Sequence, residues 1–415
     1  MPRPSLWLPL VVLLLGILFL REPSLQRSED NFLRWLLRNS SPRRAAVPLT
    51  VVEIGRDPLL DSGEKPSSTT PVLKSAAASA VSPLEYALFL QSALAFQPTV
   101  VAFENVLIWR DRDKDQEQVF IDQAMRVPRL LLAAELTAQP ESDAPGAEVV
   151  GFANVTGKRT DLTEYSGVAR QPNEDLRLIS TAGFVNLPEE DDDELHVPLL
   201  FQYRGEVIPS FSLQAILLWL RVTPSEVKIE VGKEISLPQN RRIPIRSDGT
   251  IIVNPSALKN AHRLGLNELL LAAQQRDTGS KPTVIDSLRD QIVLARTPTN
   301  PLSPPDVFAA TIATLQSNRY VHRIHWLFDC LILLAVAAAA PFFRRVPRVD
   351  LVLGAIAFTA AYCLIAVSLV SNAQIWLPGV LPLGSLWLAV LLSCFTRRSP
   401  ALRSAGAAAV PPPVV

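Results

Sequence analysis

The chain has 415 residues, and its 40 Lys and Arg balance 40 Asp and Glu for a formal net charge of zero. That balance offers no basic stripe to suggest nucleic acid and no acidic bulk to suggest a solvated, disordered chain. All three cysteines, Cys330, Cys363 and Cys394, fall in apolar runs near the C-terminal end, so the polar bulk folds without disulfides or a thiolate zinc site.

Residues 1–20 open Met-Pro-Arg-Pro and continue as an apolar run that ends Phe19-Leu20-Arg21. A positive start before an apolar run reads as an export signal, and with no small-x-small cleavage site it reads as an uncleaved anchor with its N-terminus inside. A cleaved signal peptide is the alternative. Ser28-Glu29-Asp30 precedes Phe32, Leu33, Trp35, Leu36 and Leu37, which predicts an amphipathic helix capped by Ser or Asp. A buried strand is expected over 48–54, a Ser/Thr/Pro/Ala-rich loop over 56–82, a helix from Pro83 stopped at Gln97-Pro98, and a second strand over 99–103. A helix near 115–125 and a strand over 129–134 repeat the unit, and strand–helix–strand order implies right-handed parallel crossovers.

Periodicity is lost over 138–180. A strand begins again at Thr181-Ala-Gly-Phe-Val-Asn186, followed by an acidic turn at 189–194, a strand over 195–203 and a helix over 210–221. Two hairpins are expected: 228–231 with 234–237 around Gly232, and 242–245 with 250–253 around Asp248-Gly249. Helices are expected over 264–275 and 304–317, with a strand over 290–295 between them. The fold class expected is an exported α/β domain with a mainly parallel sheet and a hairpin-rich insertion. It is attached to an α-helical membrane region.

That region consists of three apolar runs, 326–343, 351–370 and 375–395. Each is about the length that crosses a hydrocarbon core roughly 30 Å thick. Arg344, Arg345 and Arg348 lie between the first two runs and Arg397, Arg398 and Arg403 follow the third, whereas the turn 371–374 carries no charge. Because Lys and Arg of short loops stay on the cytoplasmic side, the 344–350 loop and the tail are expected inside and the region before Trp326 outside. The expected organisation is a 1–24 anchor, a 25–325 extracytoplasmic domain, three spans over 326–395 and a 396–415 cytoplasmic tail. The N- and C-termini are then cytoplasmic in an inner membrane.

No catalytic constellation is present: there is no Gly-x-Ser-x-Gly, His-Glu-x-x-His, phosphate-cradling glycine loop or cysteine pair. The reading therefore assigns no catalytic, cofactor-binding or metal residue, and no cofactor. Of the histidines His196, His262, His322 and His325, the last two fall one turn apart if helical, and could share a ligand or sense pH; interfacial polar residues are the plainer reading. Asp111, Asp113, Asp115 and Asp122 resemble a calcium loop by spacing, but Gln116 stands where the sharp turn wants glycine and Asp122 where a bidentate Glu belongs. A solvated acidic loop before a helix explains them more simply. Asp329 is the one carboxylate near a span and has no evident basic partner, which is thin support for a proton path.

One anchor, a large exported α/β domain and three closely spaced spans together resemble the CHASE2 group of bacterial extracellular sensory domains. Local patterns match in order: Val51-Val52-Glu53-Ile54, Pro98-Thr-Val-Val-Ala-Phe-Glu-Asn-Val-Leu107, Gly183-Phe-Val-Asn186, Ile208-Pro-Ser-Phe-Ser-Leu-Gln-Ala215, Ile243-Pro-Ile-Arg-Ser-Asp-Gly-Thr-Ile-Ile-Val-Asn254 and Leu288-Arg-Asp-Gln-Ile-Val-Leu294. The resemblance covers about residues 25–395. Departures fall at Asp191-Asp-Asp-Glu-Leu-His196, which lacks the usual Asp-Gly and following Arg, and at Ala295-Arg296, where a glycine is common. Asp306-Val-Phe-Ala-Ala-Thr311 also replaces a Gly-Val-x-x-His-Ala pattern, and a Ser/Thr/Ala-rich loop replaces a tryptophan-proline segment.

The resemblance implies a non-enzymatic membrane sensor or adaptor that detects an envelope or small-molecule signal. Since only about twenty residues follow Phe395 and an output domain needs on the order of 100–200, the effector is expected to be a separate cytoplasmic signalling protein. The expected partners are the lipid bilayer, that protein or an envelope protein, an unknown small-molecule ligand and another copy of the chain, with no nucleic acid. A constitutive envelope scaffold or assembly factor without ligand switching is the alternative.

Overall fold

The computed structural model describes residues 23–40, 46–55, 81–109, 114–139, 150–188, 195–280, 285, 287–297, 306–325, 327–343 and 345–395. The expected anchor, most of the 56–82 loop, Asp111, Asp113, the 189–194 turn, Trp326, Arg344 and the tail lie outside the described residues. The chain divides into two compact units, Met1–Ser41 with Val321–Val415, and Pro42–Tyr320.

The helix α1, Pro23–Asn39, belongs to the first unit and is considered with it below. The second unit starts with β1 (Leu49–Glu53), α2 (Pro83–Leu94), β2 (Val100–Phe103), α3 (Lys114–Ala124) and β3 (Leu130–Thr137). There follow β4 (Asn154–Thr156), β5 (Glu164–Tyr165), β6 (Gly167–Arg170), α4 (Glu174–Ile179) and β7 (Thr181–Phe184). Next are β8 (His196–Pro198), β9 (Leu200–Tyr203), β10 (Glu206–Pro209), α5 (Phe211–Leu220), β11 (Lys228–Glu230), β12 (Glu234–Leu237), β13 (Arg241–Pro244) and β14 (Thr250–Ile252). A 3-10 turn, Pro255–Asn260, leads to β15 (His262–Gly265), α6 (Leu266–Asp277), β16 (Ile292–Arg296) and α7 (Val307–Ser317).

The main sheet runs β15-β1-β16-β2-β3, every neighbour parallel, and beyond β3 come parallel β7 and antiparallel β6. Leu-Thr-Val-Val, Val-Val-Ala-Phe and Ile-Val-Leu-Ala-Arg are buried along their lengths, as parallel strands covered on both faces require. Val51, Ala102 and Leu294 point into one core with Phe211 and Ile216 of α5 and Phe308 and Ile312 of α7. Val52, Phe103 and Val293 point into the other, with Phe89 of α2, Phe120 of α3 and Leu269 of α6. Although β1 and β2 are parallel as expected, β16 lies between them, so the late strand completes the centre of the sheet.

Three expectations change. The Asp248-Gly249 turn exists, with Gly249 N–H donating to Arg246 at 3.0 Å, but its arms do not pair. β13 pairs with β12 and β14 with β8, because Pro244 has no N–H to extend the ladder and Ile251 finds Val197 opposite. The 195–203 strand is two strands broken at Leu199, one in each of two sheets. Leu264 belongs to β15 and not to the following helix; two of its four residues are exposed at the sheet edge, so no apolar run announces it. In 138–180 the strands are two to four residues long, two of them with distant partners, β4 on β11 and β5 on β9, and α4 has six residues. The β11–β12 hairpin is as expected.

The first unit contains α1, β17 (His322–Arg323), α8 (Leu327–Phe343), α9 (Arg348–Ala373), β18 (Ile375–Trp376) and α10 (Val380–Phe395). Of the expected spans, α9, with 26 residues, is long and apolar enough to cross a membrane, while α8 and α10 are shorter apolar helices of 17 and 16 residues. The helix α1 starts before Ser28, so neither Ser28 nor Asp30 caps it. Glu29 instead accepts hydrogen bonds from the N–H groups of Gly379, Val380 and Leu381 at 2.9, 2.8 and 3.2 Å, capping α10 from another helix. His322 lies in β17, paired in parallel with β18, and so is not one helical turn from His325. Asp329 does have a basic partner: Arg323 donates to it at 3.1 Å and also stacks over Trp376.

Candidate functional site

Open parallel sheets hold ligands at the carboxyl ends of their strands, where the connecting loops diverge. At that edge, β2 runs directly into Glu104 and Asn105, and β16 ends in Arg296, with Thr297 next. The two strands are neighbours in the centre of the sheet, so the four side chains arrive side by side. Glu104 is 3% exposed and Arg296 7%.

Arg296 Nη1 donates to Asp306 Oδ1, and its Nε lies 3.9 Å from Glu104. Asp306 immediately precedes α7 and holds a left-handed backbone, φ 73°, that a non-glycine residue adopts at a cost of about 1–3 kcal/mol. Its other oxygen accepts from Arg263 of β15 at 2.9 Å. One carboxylate is thus gripped by two guanidinium groups, one buried and one at the sheet edge. Beside them Asn105 donates to Thr297 at 2.8 Å, and among the described residues the buried Asn105 Oδ1 has no partner.

Burial pushes the Glu104 carboxyl up to about 8; the nearby Arg296 cation opposes that shift and the Asp306 anion adds to it. At neutral pH Glu104 therefore mostly carries its proton and can donate a hydrogen bond. Asp306 also borders a cavity of about 470 Å³ between α7, the Pro255–Asn260 turn and β15, lined in part by Lys259 and Arg263. With both charged and apolar side chains in its lining, this cavity has room for a small ligand at the start of α7. It offers no nucleophile–base pair among the described residues.

The histidines do not join this site. His196 is buried on β8 with Arg246 Nη1 3.1 Å from its ring nitrogens, His262 is exposed on β15, and His325 accepts the Leu327 N–H at the start of α8. Asp115 and Asp122 lie on α3, a helix and not a cation-binding loop; among the described residues no three His, Cys, Asp or Glu are placed to hold a metal. Sequence reasoning noted Glu104, Arg296 and Asp306 only within longer patterns. The missed signal was a charged residue directly after an apolar run, at Phe103-Glu104 and again at Ala295-Arg296.

Three of the matched patterns supply central strands of the main sheet. Val51–Ile54, Pro98–Leu107 and Leu288–Leu294 supply β1, β2 and β16, and Gly183 begins the end of β7. The Ile208–Ala215 pattern supplies Ser210, whose hydroxyl caps α5. The sequence profile of the CHASE2 domain matches residues 10–300. No curated protein and no solved structure matches the chain. With that profile covering more than half of its length, the chain belongs to the CHASE2 family.

Proposed function

We propose that this chain is a membrane sensor or adaptor whose CHASE2 domain reads an extracytoplasmic signal at the carboxyl edge of its parallel sheet. The signal passes through the membrane helices to a separate cytoplasmic effector. One N-terminal anchor and three C-terminal spans, α8, α9 and α10, carry the domain, with the connection between α8 and α9 on the cytoplasmic side.

The observation that carries this reading is Asp306. It is both the residue clamped by Arg296 and Arg263 and the residue that starts α7. From α7 the chain runs through residues 318–325 into the apolar helices. A ligand that alters the clamp therefore biases the helix by which the chain leaves the domain, and differential affinity for two clamp states is what a sensor requires. The family relationship supports the sensory role, and no catalytic domain is identified.

The test uses Arg296→Gln in the full chain in lipid nanodiscs, with amide hydrogen exchange followed along α7 and across 327–395. A sensor shows altered protection in both regions. Change confined to α7 would leave the domain a constitutive scaffold.

A further inference from the structure

The cavity beside Asp306 has two kinds of wall. Leu258, Ala261, Val307 and Ala310 give it an apolar trough, and Lys259 and Arg263 line it with positive charge. Lys259 is exposed and makes no ion pair among the described residues. Arg263 is already engaged, but its partner is the chain's own carboxylate, Asp306, held in a left-handed backbone. Behind it the same carboxylate is held by Arg296, which is 7% exposed. Asp306 thus occupies the place that a carboxylate from solution would take, and a free guanidinium–carboxylate fork is a strong, geometrically specific contact.

We propose that this cavity binds a small carboxylic acid with an apolar body, its carboxylate on Arg263 and Lys259 and its hydrocarbon part on Leu258, Val307 and Ala310. The incoming carboxylate competes with Asp306 for Arg263. Inorganic phosphate fits less well, since it carries nothing to cover the trough. A neutral amide of the same shape fills the trough but does not compete for the guanidinium. This names the ligand class for the sensory site proposed above and rests on that reading only for what binding does next.

The test is calorimetry on the full chain in lipid nanodiscs, with empty nanodiscs as blank, titrating phenylacetate and 4-methylpentanoate against phenylacetamide and inorganic phosphate. Saturable binding of an acid is expected, with the amide and phosphate weaker. Arg263→Gln should weaken it about tenfold or more. Asp306→Asn, which removes the internal competitor, should tighten it about fivefold or more. Should that variant fail to fold, Lys259→Gln on an exposed side chain decides: weakened binding supports the assignment and unchanged affinity overturns it.

Absence of acid binding, equal binding of phenylacetamide, preference for phosphate, or unchanged affinity in Arg263→Gln would each overturn the proposal. None of those results touches the exchange experiment on Arg296→Gln, which judges the sensory reading. Acid binding with no change in protection over 327–395 keeps the ligand class and removes the sensory reading.

Discussion

Glu104 should make the stability of the domain fall as pH rises through neutrality. Its folded carboxyl titrates at about 8 against an ordinary 4.5, because it is buried at the end of β2. A raised value means that the folded state holds the proton where the unfolded state has lost it. The stabilisation is therefore full below about 4.5, declines between about 4.5 and 8, and is gone above. That gap corresponds to at most about 5 kcal/mol. Glu104→Gln keeps a polar group of the same shape without a titrating proton. The variant should match the wild type near pH 5, exceed it in stability at pH 8, and lose the slope between them. Denaturant unfolding of the full chain in nanodiscs, followed by tryptophan fluorescence across that range, measures this directly. Parallel profiles for the two proteins, or wild-type stability that rises over the window, would refute the assignment of a protonated buried carboxyl.

Three further outcomes follow from other contacts. Gly183→Ala puts a Cβ 2.8 Å from the Phe211 ring and 3.1 Å from its Cα, so overpacking of about 1–3 kcal/mol is expected in the unfolding midpoint. Glu29→Ala leaves the N–H groups of Gly379, Val380 and Leu381 without their acceptor, at about 1–3 kcal/mol for each group left buried. Faster amide exchange at Val380 and Leu381 should follow, and unchanged exchange would show the cap to be idle. Under the proposed topology, a cysteine placed at Ser225 should react with a membrane-impermeant maleimide in intact spheroplasts, and one at Val349 should not; the reverse pattern would invert the topology.

The elements legible in the sequence were those whose signals are local. β1, β2 and β16 show as apolar runs, and α2 shows by its cap, where the Ser82 hydroxyl accepts from the Glu85 N–H and the Glu85 carboxylate accepts from the Ser82 N–H. Gln97, with φ 57°, ends that helix stretch before Pro98, as the sequence suggested. What was not legible depends on pairing at a distance. β4 meets β11 more than seventy positions later, as the Asn154 side chain donating to Ser225 also shows at a separation of 71. The candidate site was hidden for the same reason. Arg263 lies within an edge strand, Arg296 ends a buried one, Glu104 follows another and Asp306 precedes a helix, so nothing in the local sequence groups them. Asp329 looked unpartnered because Arg323 sits on a two-residue strand that only the β17–β18 pairing reveals.

The most direct test of a sensor with its output supplied by a separate protein is in-cell photocrosslinking from Val346, between α8 and α9, and from Val349, in the first turn of α9, with mass spectrometry of the captured chains. Capture of an identified kinase, cyclase or comparable cytoplasmic effector, altered in yield by Arg296→Gln, is the expected result. Capture of envelope-assembly proteins or of another copy of this chain alone, with yields that Arg296→Gln leaves unchanged, would contradict it and make the protein a scaffold.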